Sequence, residues 1–204
     1  MTATAQTLQR TSQPPEDDRI NHFSGATWDG FERLLEMRGD RSGPRIAYLD
    51  GEIEIMSPSR TREVLKSFVG RLVETYCSVR GIDFTPFGAW TLKDMALECG
   101  LEPDECYVFG DQPEIETLPQ LAIEVIWTSA SLNKLEIYRR LGVGEVWFWR
   151  KGQLEAHVLE GEKFLAAPRS RALPDLDLNE LASFLDRPTA SQAMREYRAR
   201  LEGR

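Results

Sequence analysis

The run Leu121-Ala122-Ile123-Glu124-Val125-Ile126-Trp127 constrains this chain more than any other segment. Apart from Glu124 it is apolar throughout, the pattern of a strand covered on both faces. A segment with helical spacing follows from about Leu132 to Leu141, and then a second apolar run from Glu145 to Trp149. Strand, helix and strand in that order predict a crossover unit, and hence an α/β domain built on a mixed β-sheet.

The flanking sequence supplies the other elements. Thr27 followed by Trp28, Phe31, Leu34 and Leu35 predicts a helix that stops at Gly39. Two alternating runs, Arg45 to Leu49 and Glu52 to Met56, meet at Asp50-Gly51 and predict a hairpin. After Ser57-Pro58-Ser59, the positions Val64, Leu65, Phe68, Val69, Leu72, Val73 and Tyr76 mark a long amphipathic helix ending at Gly81. Ile82 to Phe87, Ala89 to Lys93 and Glu105 to Phe109 read as strands, and Leu154 to Leu159 with Lys163 to Ala166 as a closing hairpin. Helices over Asn179 to Leu185 and about Ala190 to Leu201 finish the chain.

A length of 204 residues, 41% of them hydrophobic, suits one domain with a substantial core. No apolar run approaches the roughly 20 residues of a membrane span. Met1 to Asp18 is rich in Thr, Gln, Pro and Asp; it lacks the apolar stretch of a secretory signal and is expected to be a disordered tail. Cys77, Cys99 and Cys106 are an odd number without C-x-x-C spacing. That argues against a disulfide framework or a structural zinc site and suggests a cytoplasmic protein. The net charge of −8 is unevenly spread: Asp94 to Asn133 holds nine carboxylates and no Lys or Arg. Basic residues gather instead at Arg60, Arg62, Lys66 and Arg71, and again at Arg195, Arg198 and Arg200.

Three residues stand out chemically. An ionised Glu124 inside a buried strand is costly unless a cation or strong donors compensate it, and a buried arginine or hydroxyl would serve as well as a metal. Lys134 is the second. At about 100° per residue it falls inside the apolar arc of Leu135, Ile137, Tyr138 and Leu141, so it points inward and needs a negative partner or must snorkel. Asp104 is the third; after Pro103 it is by itself an ordinary turn residue. Together the set is coherent for phosphodiester hydrolysis. Two carboxylates from adjacent strands suit a hard cation such as Mg²⁺, the ion can activate water, and the lysine can orient that water or offset developing charge. His22 and His157 are isolated and read as surface or packing residues. Trp127, Trp147 and Trp149 lie in apolar runs and read as core rather than as base-stacking platforms.

Several motifs, in order, resemble a known family. They are Gly51-Glu52-Ile53-Glu54-Ile55-Met56-Ser57-Pro58-Ser59, Gly100-Leu101-Glu102-Pro103-Asp104-Glu105-Cys106-Tyr107 and Ala122-Ile123-Glu124-Val125. Leu132-Asn133-Lys134-Leu135 with Tyr138, and Leu141-Gly142-Val143-Gly144-Glu145-Val146-Trp147, continue the series. The family is the large bacterial group of restriction-endonuclease-like proteins, long catalogued as a domain of unknown function, within the PD-(D/E)XK superfamily. The resemblance runs from about Trp28 to the C-terminal helix. It implies a restriction-endonuclease-like mixed sheet with flanking helices, and a Mg²⁺- or Mn²⁺-dependent endonuclease acting on DNA. Asp104 and Glu124 would be the metal ligands, with Lys134 completing the catalytic set. The lysine usually found two residues after the second acid would be displaced from Ile126 onto the next helix. The chain departs from the pattern at Arg62, where many relatives carry His, and at Ile126 and Asn133, where close relatives often carry Asp. Glu63 resembles an auxiliary acid of the superfamily but falls on the polar face of its helix.

The expected layout is a tail over residues 1–20, a nuclease-like domain over 21–187 and a C-terminal basic helix over 188–204. Symmetric cutting of two strands suggests a homodimer. Two alternatives stay open: a catalytically inactive nuclease-fold module that binds nucleic acid or a protein, and a metal-assisted hydrolase of a smaller phosphoester.

Overall fold

The computed structural model describes residues 18–88, 90–111, 118–126 and 132–203. The chain opens with β1 (Arg19–Phe23) and α1 (Trp28–Arg38), then the hairpin β2 (Arg45–Leu49) and β3 (Glu52–Ser57), then α2 (Arg60–Arg80). Short strands follow: β4 (Phe84–Pro86), β5 (Leu92–Asp94), β6 (Cys99–Leu101) and β7 (Glu105–Phe109). Next come β8 (Leu121–Val125), α3 (Lys134–Leu141), β9 (Glu145–Arg150), β10 (Gln153–Glu160) and β11 (Lys163–Ala167). Helices α4 (Leu178–Ala182) and α5 (Ala190–Glu202) complete it.

Local chemistry sets most of these boundaries. Thr27 and Ser59 cap α1 and α2 by accepting from the Gly30 and Arg62 amides, and Gly81 ends α2 in the left-handed region. At the β2–β3 turn Asp50 and Gly51 both have positive φ, 48° and 87°, as a two-residue hairpin of matching twist requires.

Among the described residues the strands form two sheets. One is antiparallel in the order β1-β3-β2-β6-β5. The other runs β11-β10-β9-β8-β7-β4 and is mixed, because β8 and β9 are parallel. They are the two strands joined by α3, as the strand–helix–strand reading expects. Alternation along β8 divides the core. Leu121, Ile123 and Val125 face a cluster with Val69, Leu72, Val73 and Tyr76 of α2 and with Tyr197 and Leu201 of α5. Ala122 faces a second cluster, in which Ile137, Tyr138 and Leu141 of α3 meet Ala47, Leu92, Cys99 and Leu101 of the antiparallel sheet. Glu124 shares this second face with Ala122. Trp147 and Trp149 are core residues; Trp127 lies outside the described residues.

The expected tail ends sooner than residue 20. Asp18 is buried, and Arg19 and Ile20 already pair with Ser57 and Met56 of β3. The antiparallel ladder, together with the contacts Asp18 makes at the site, holds this segment. Residues 1–17 lie outside the described residues. The C-terminal helix is seated in the core through Ala193, Tyr197 and Leu201.

Gly100 marks the tightest packing in the antiparallel sheet. A Cβ there would lie 2.9 Å from Lys93 Cβ and 2.9 Å from the ring of the fully buried Phe31. Gly100→Ala is therefore expected to destabilise the protein by about 1–3 kcal/mol, measured by urea denaturation.

Candidate active site

Each site residue is placed by a different element. Glu105 is the first residue of β7 to pair with β8, opposite Ile123, so Asp104 falls one step beyond the ladder, beside Glu124. Its carboxylate closes back on the neighbouring strand: Oδ2 accepts from the Val125 amide at 2.7 Å. Lys134 is the first residue of α3, where the helix dipole disfavours a cation. It is held there by Glu124, with Nζ donating to Oε2 at 2.7 Å. One turn later the Tyr138 hydroxyl donates to Glu124 Oε1 at 2.7 Å. The i, i+4 spacing puts lysine and tyrosine on one face of α3, above β8. Arg140 braces the same helix from its other side by a paired contact to Asp50 at the hairpin turn, 2.6 Å on each oxygen.

Asp104, Glu124 and Lys134 thus converge, and the inward lysine of the helical wheel is found buried, with 9% of its surface exposed. Asp104 and Glu124 are both at 0%. Between the two acids lies the guanidinium of Arg62, from the first turn of α2. Its Nη2 is 2.7 Å from Asp104 Oδ2 and 3.5 Å from Glu124 Oε2. Its Nε donates to Asp104 Oδ1 at 3.3 Å, and its Nη1 to Asp18 Oδ2 at 2.8 Å. Arg45 of β2 completes the ring of charge: Nε lies 3.4 Å from Asp104 Oδ1, and Nη1 donates to the Pro103 carbonyl. Glu63 sits at the rim, 42% exposed, 3.4 Å from Arg45 and 3.3 Å from Lys66. Lys134, Arg45, Glu54 and Glu102 also line a cavity of about 10 Å³, room for at most one water.

The electrostatics follow from burial and these partners. Burial pushes the Asp104 carboxyl up, but the charges of Arg62, Arg45 and Lys134 outweigh it and hold the group below the usual range. Burial disfavours the charged Arg62, yet Asp104 and Glu124 raise it above the ordinary arginine value, so it stays a cation. Tyr138 is pushed far up by burial and by Glu124, so its hydroxyl remains a donor at neutral pH. Tyr138→Phe would leave Glu124 Oε1 without its donor. An expected loss of about 1–3 kcal/mol is measurable by urea denaturation.

A divalent ion can be tested against this donor set. Among the described residues no cluster of three metal-type ligands occurs, and the site offers two carboxylates. Two are enough for an ion that keeps several waters. A single nitrogen of Arg62 touches both acids, so their spacing is that of a pair sharing one cation. The donors fit; the position between them is held by Arg62.

In the sequence Tyr138 is placed on the inward face of its helix and in a family motif but carries no site role, Arg62 is one of a basic cluster and a departure from a motif, and Asp18 falls in the tail; the site gathers all three.

A mixed-sheet α/β fold in which two buried acids and a lysine meet at the edge of the central strand pair has the architecture of a restriction-endonuclease-like protein. Residues 28–185 match the family "Uma2: Putative restriction endonuclease", and the chain belongs to that family. It is also similar, at 15% identity and a TM-score of 0.49, to a crystal structure described as a "putative nuclease belonging to DUF820" from Anabaena variabilis ATCC 29413. That match covers 74% of this chain and 96% of the other. No curated protein matches the sequence.

Proposed function

We propose that the protein is an endonuclease that hydrolyses DNA phosphodiester bonds at the Asp104–Glu124–Lys134 centre, with Mg²⁺ or Mn²⁺ as cofactor. One observation carries this reading: two fully buried carboxylates are spaced to share one cation, and Lys134 is in contact with one of them. Asp104 and Glu124 would hold the ion, which when bound supplies a Lewis acid and a water of lowered pKa. The chain supplies the rest. Lys134 Nζ places fixed positive charge beside the acids, where it offsets negative charge developing on a phosphoryl group. The Tyr138 hydroxyl and the Val125 amide fix the orientation of the two carboxylates, so that they need not reorganise during the reaction.

Arg62 favours a second reading. Filling the shared position and pinned on three sides, it would suit a nuclease-fold protein that binds nucleic acid or a protein without cutting. Plasmid cleavage with Mg²⁺ or Mn²⁺ decides between them. Cutting by the wild type that is lost in Lys134→Ala supports the endonuclease. Equal cutting by both, or none by the wild type under conditions where it binds the metal, removes it. Cutting both strands symmetrically calls for a homodimer. Three buried, unpaired cysteines suit a reducing compartment such as the cytoplasm.

A further inference from the structure

Arg62 is a poor neighbour for a second cation. The residue is 3% exposed, and every nitrogen of its guanidinium is engaged: Nε and Nη2 on Asp104, Nη1 on Asp18. Asp18 in turn is fixed from behind. Its other oxygen, Oδ1, accepts the Ser59 amide at 2.8 Å, and Ser59 caps the helix that carries Arg62. Asp18 therefore ties the residue just before β1 to the first turn of α2. It does so from outside residues 28–185, the span that matches the family. The acids are already matched by protein cations: Asp18, Asp104 and Glu124 are paired with Arg45, Arg62 and Lys134. A divalent ion added between Asp104 and Glu124 would lie against the Arg62 guanidinium, cation beside cation in a desolvated site.

We propose that Arg62, held by Asp18, is a resident counter-ion that competes with the divalent ion, and that the Asp18–Arg62 pair is an autoinhibitory latch on the site. The proposal rests on the reading of Asp104 and Glu124 as the ion's ligands. In the latched state Arg62 bridges the acids and both are shielded from solvent. A divalent ion binds only when Arg62 withdraws. Whatever loosens Asp18, including displacement of the segment at the head of β1, raises the affinity for the ion. The competition is linkage: an ion that binds only the unlatched state has its apparent affinity reduced by the fraction of molecules latched.

Mn²⁺ titration of the full chain, followed by calorimetry and by the electron paramagnetic resonance signal of free Mn²⁺, tests this without any cleavage assay. Arg62→His, whose ring cannot reach both acids and Asp18 together, is expected to bind Mn²⁺ at least tenfold more tightly than the wild type. Asp18→Asn, which keeps Arg62 but loosens it, is expected to show a smaller gain in the same direction. Adding Asp104→Asn to Arg62→His should abolish the gained binding. Far-UV circular dichroism verifies that each variant is folded, and Asp18→Asn carries the test should Arg62→His unfold. Equal affinities in the wild type and both latch variants would overturn the latch. If that shared binding were lost in Asp104→Asn, the metal-site reading would survive alone. A gain that Asp104→Asn leaves untouched would also overturn the latch, since the ion would then lie elsewhere. No Mn²⁺ binding by any folded variant would overturn the metal-site reading and the latch with it.

Discussion

Glu124→Ala is expected to reduce plasmid cleavage by about 10²–10³-fold and to destabilise the fold by about 3–5 kcal/mol. Both effects come from one carboxylate. In the wild type its two oxygens accept from Lys134 and Tyr138, and Arg62 stands 3.5 Å away. Truncation leaves an ammonium and a hydroxyl buried without an acceptor, which costs more than the pair contributes when intact. Glu145 provides the control. It too is a buried glutamate in an apolar strand, but its partners are structural: the Trp147 indole and the amides of Arg171 and Ala172. Glu145→Gln should lower stability while leaving cleavage per folded molecule unchanged. Cleavage and urea denaturation, run on both variants, separate the two roles. If they lost activity in parallel, a special part for Glu124 would be untenable.

Asp104→Asn is the second large effect, and its size depends on pH. The folded carboxyl is held below its ordinary value of about 3.9 by Arg62, Arg45 and Lys134, against the upward push of burial. A depressed carboxyl contributes stability that is fully present above its unfolded pKa and lost as pH falls through the folded one. At pH 7 the asparagine variant should therefore be less stable by about 3–5 kcal/mol, because Arg62 and Arg45 lose a buried counter-charge. The gap between variant and wild type should narrow below about pH 4, where the carboxyl of the unfolded chain takes up a proton while the folded one is still ionised. Denaturation curves at pH 7 and pH 3 check this. A gap that did not change with pH would mean that Asp104 contributes by shape or hydrogen bonding and not by charge.

The elements the sequence announced are those with strong local signals. The Asp50-Gly51 turn, the caps at Thr27 and Ser59 and the apolar run of β8 each act over a few residues, so their effects can be read in order along the chain. Lys134 was legible for the same reason, since a helical period fixes which way a side chain points. What escaped depends on distance. Strand β6 is three residues long and exists because β2 and β5 flank it. Strand β1 is set by β3 and by Asp18, whose partners Ser59 and Arg62 are 41 and 44 residues away. Locally Glu124 differs from Glu145 only in lying inside its apolar run and not at the start of one; the third dimension shows that Glu124 meets a lysine, a tyrosine and an arginine while Glu145 meets an indole and two backbone amides. Of the partners that the sequence leaves open for Glu124, a cation or strong donors, the fold supplies Lys134, Arg62 and the Tyr138 hydroxyl.

Anomalous diffraction from crystals of Arg62→His grown with Mn²⁺ tests most directly whether Asp104 and Glu124 form a pair built around one shared cation. A single peak contacted by both carboxylates, with Lys134 still on Glu124, is the predicted result. Manganese found only at other places, with the two acids bridged by protein cations alone, would contradict it.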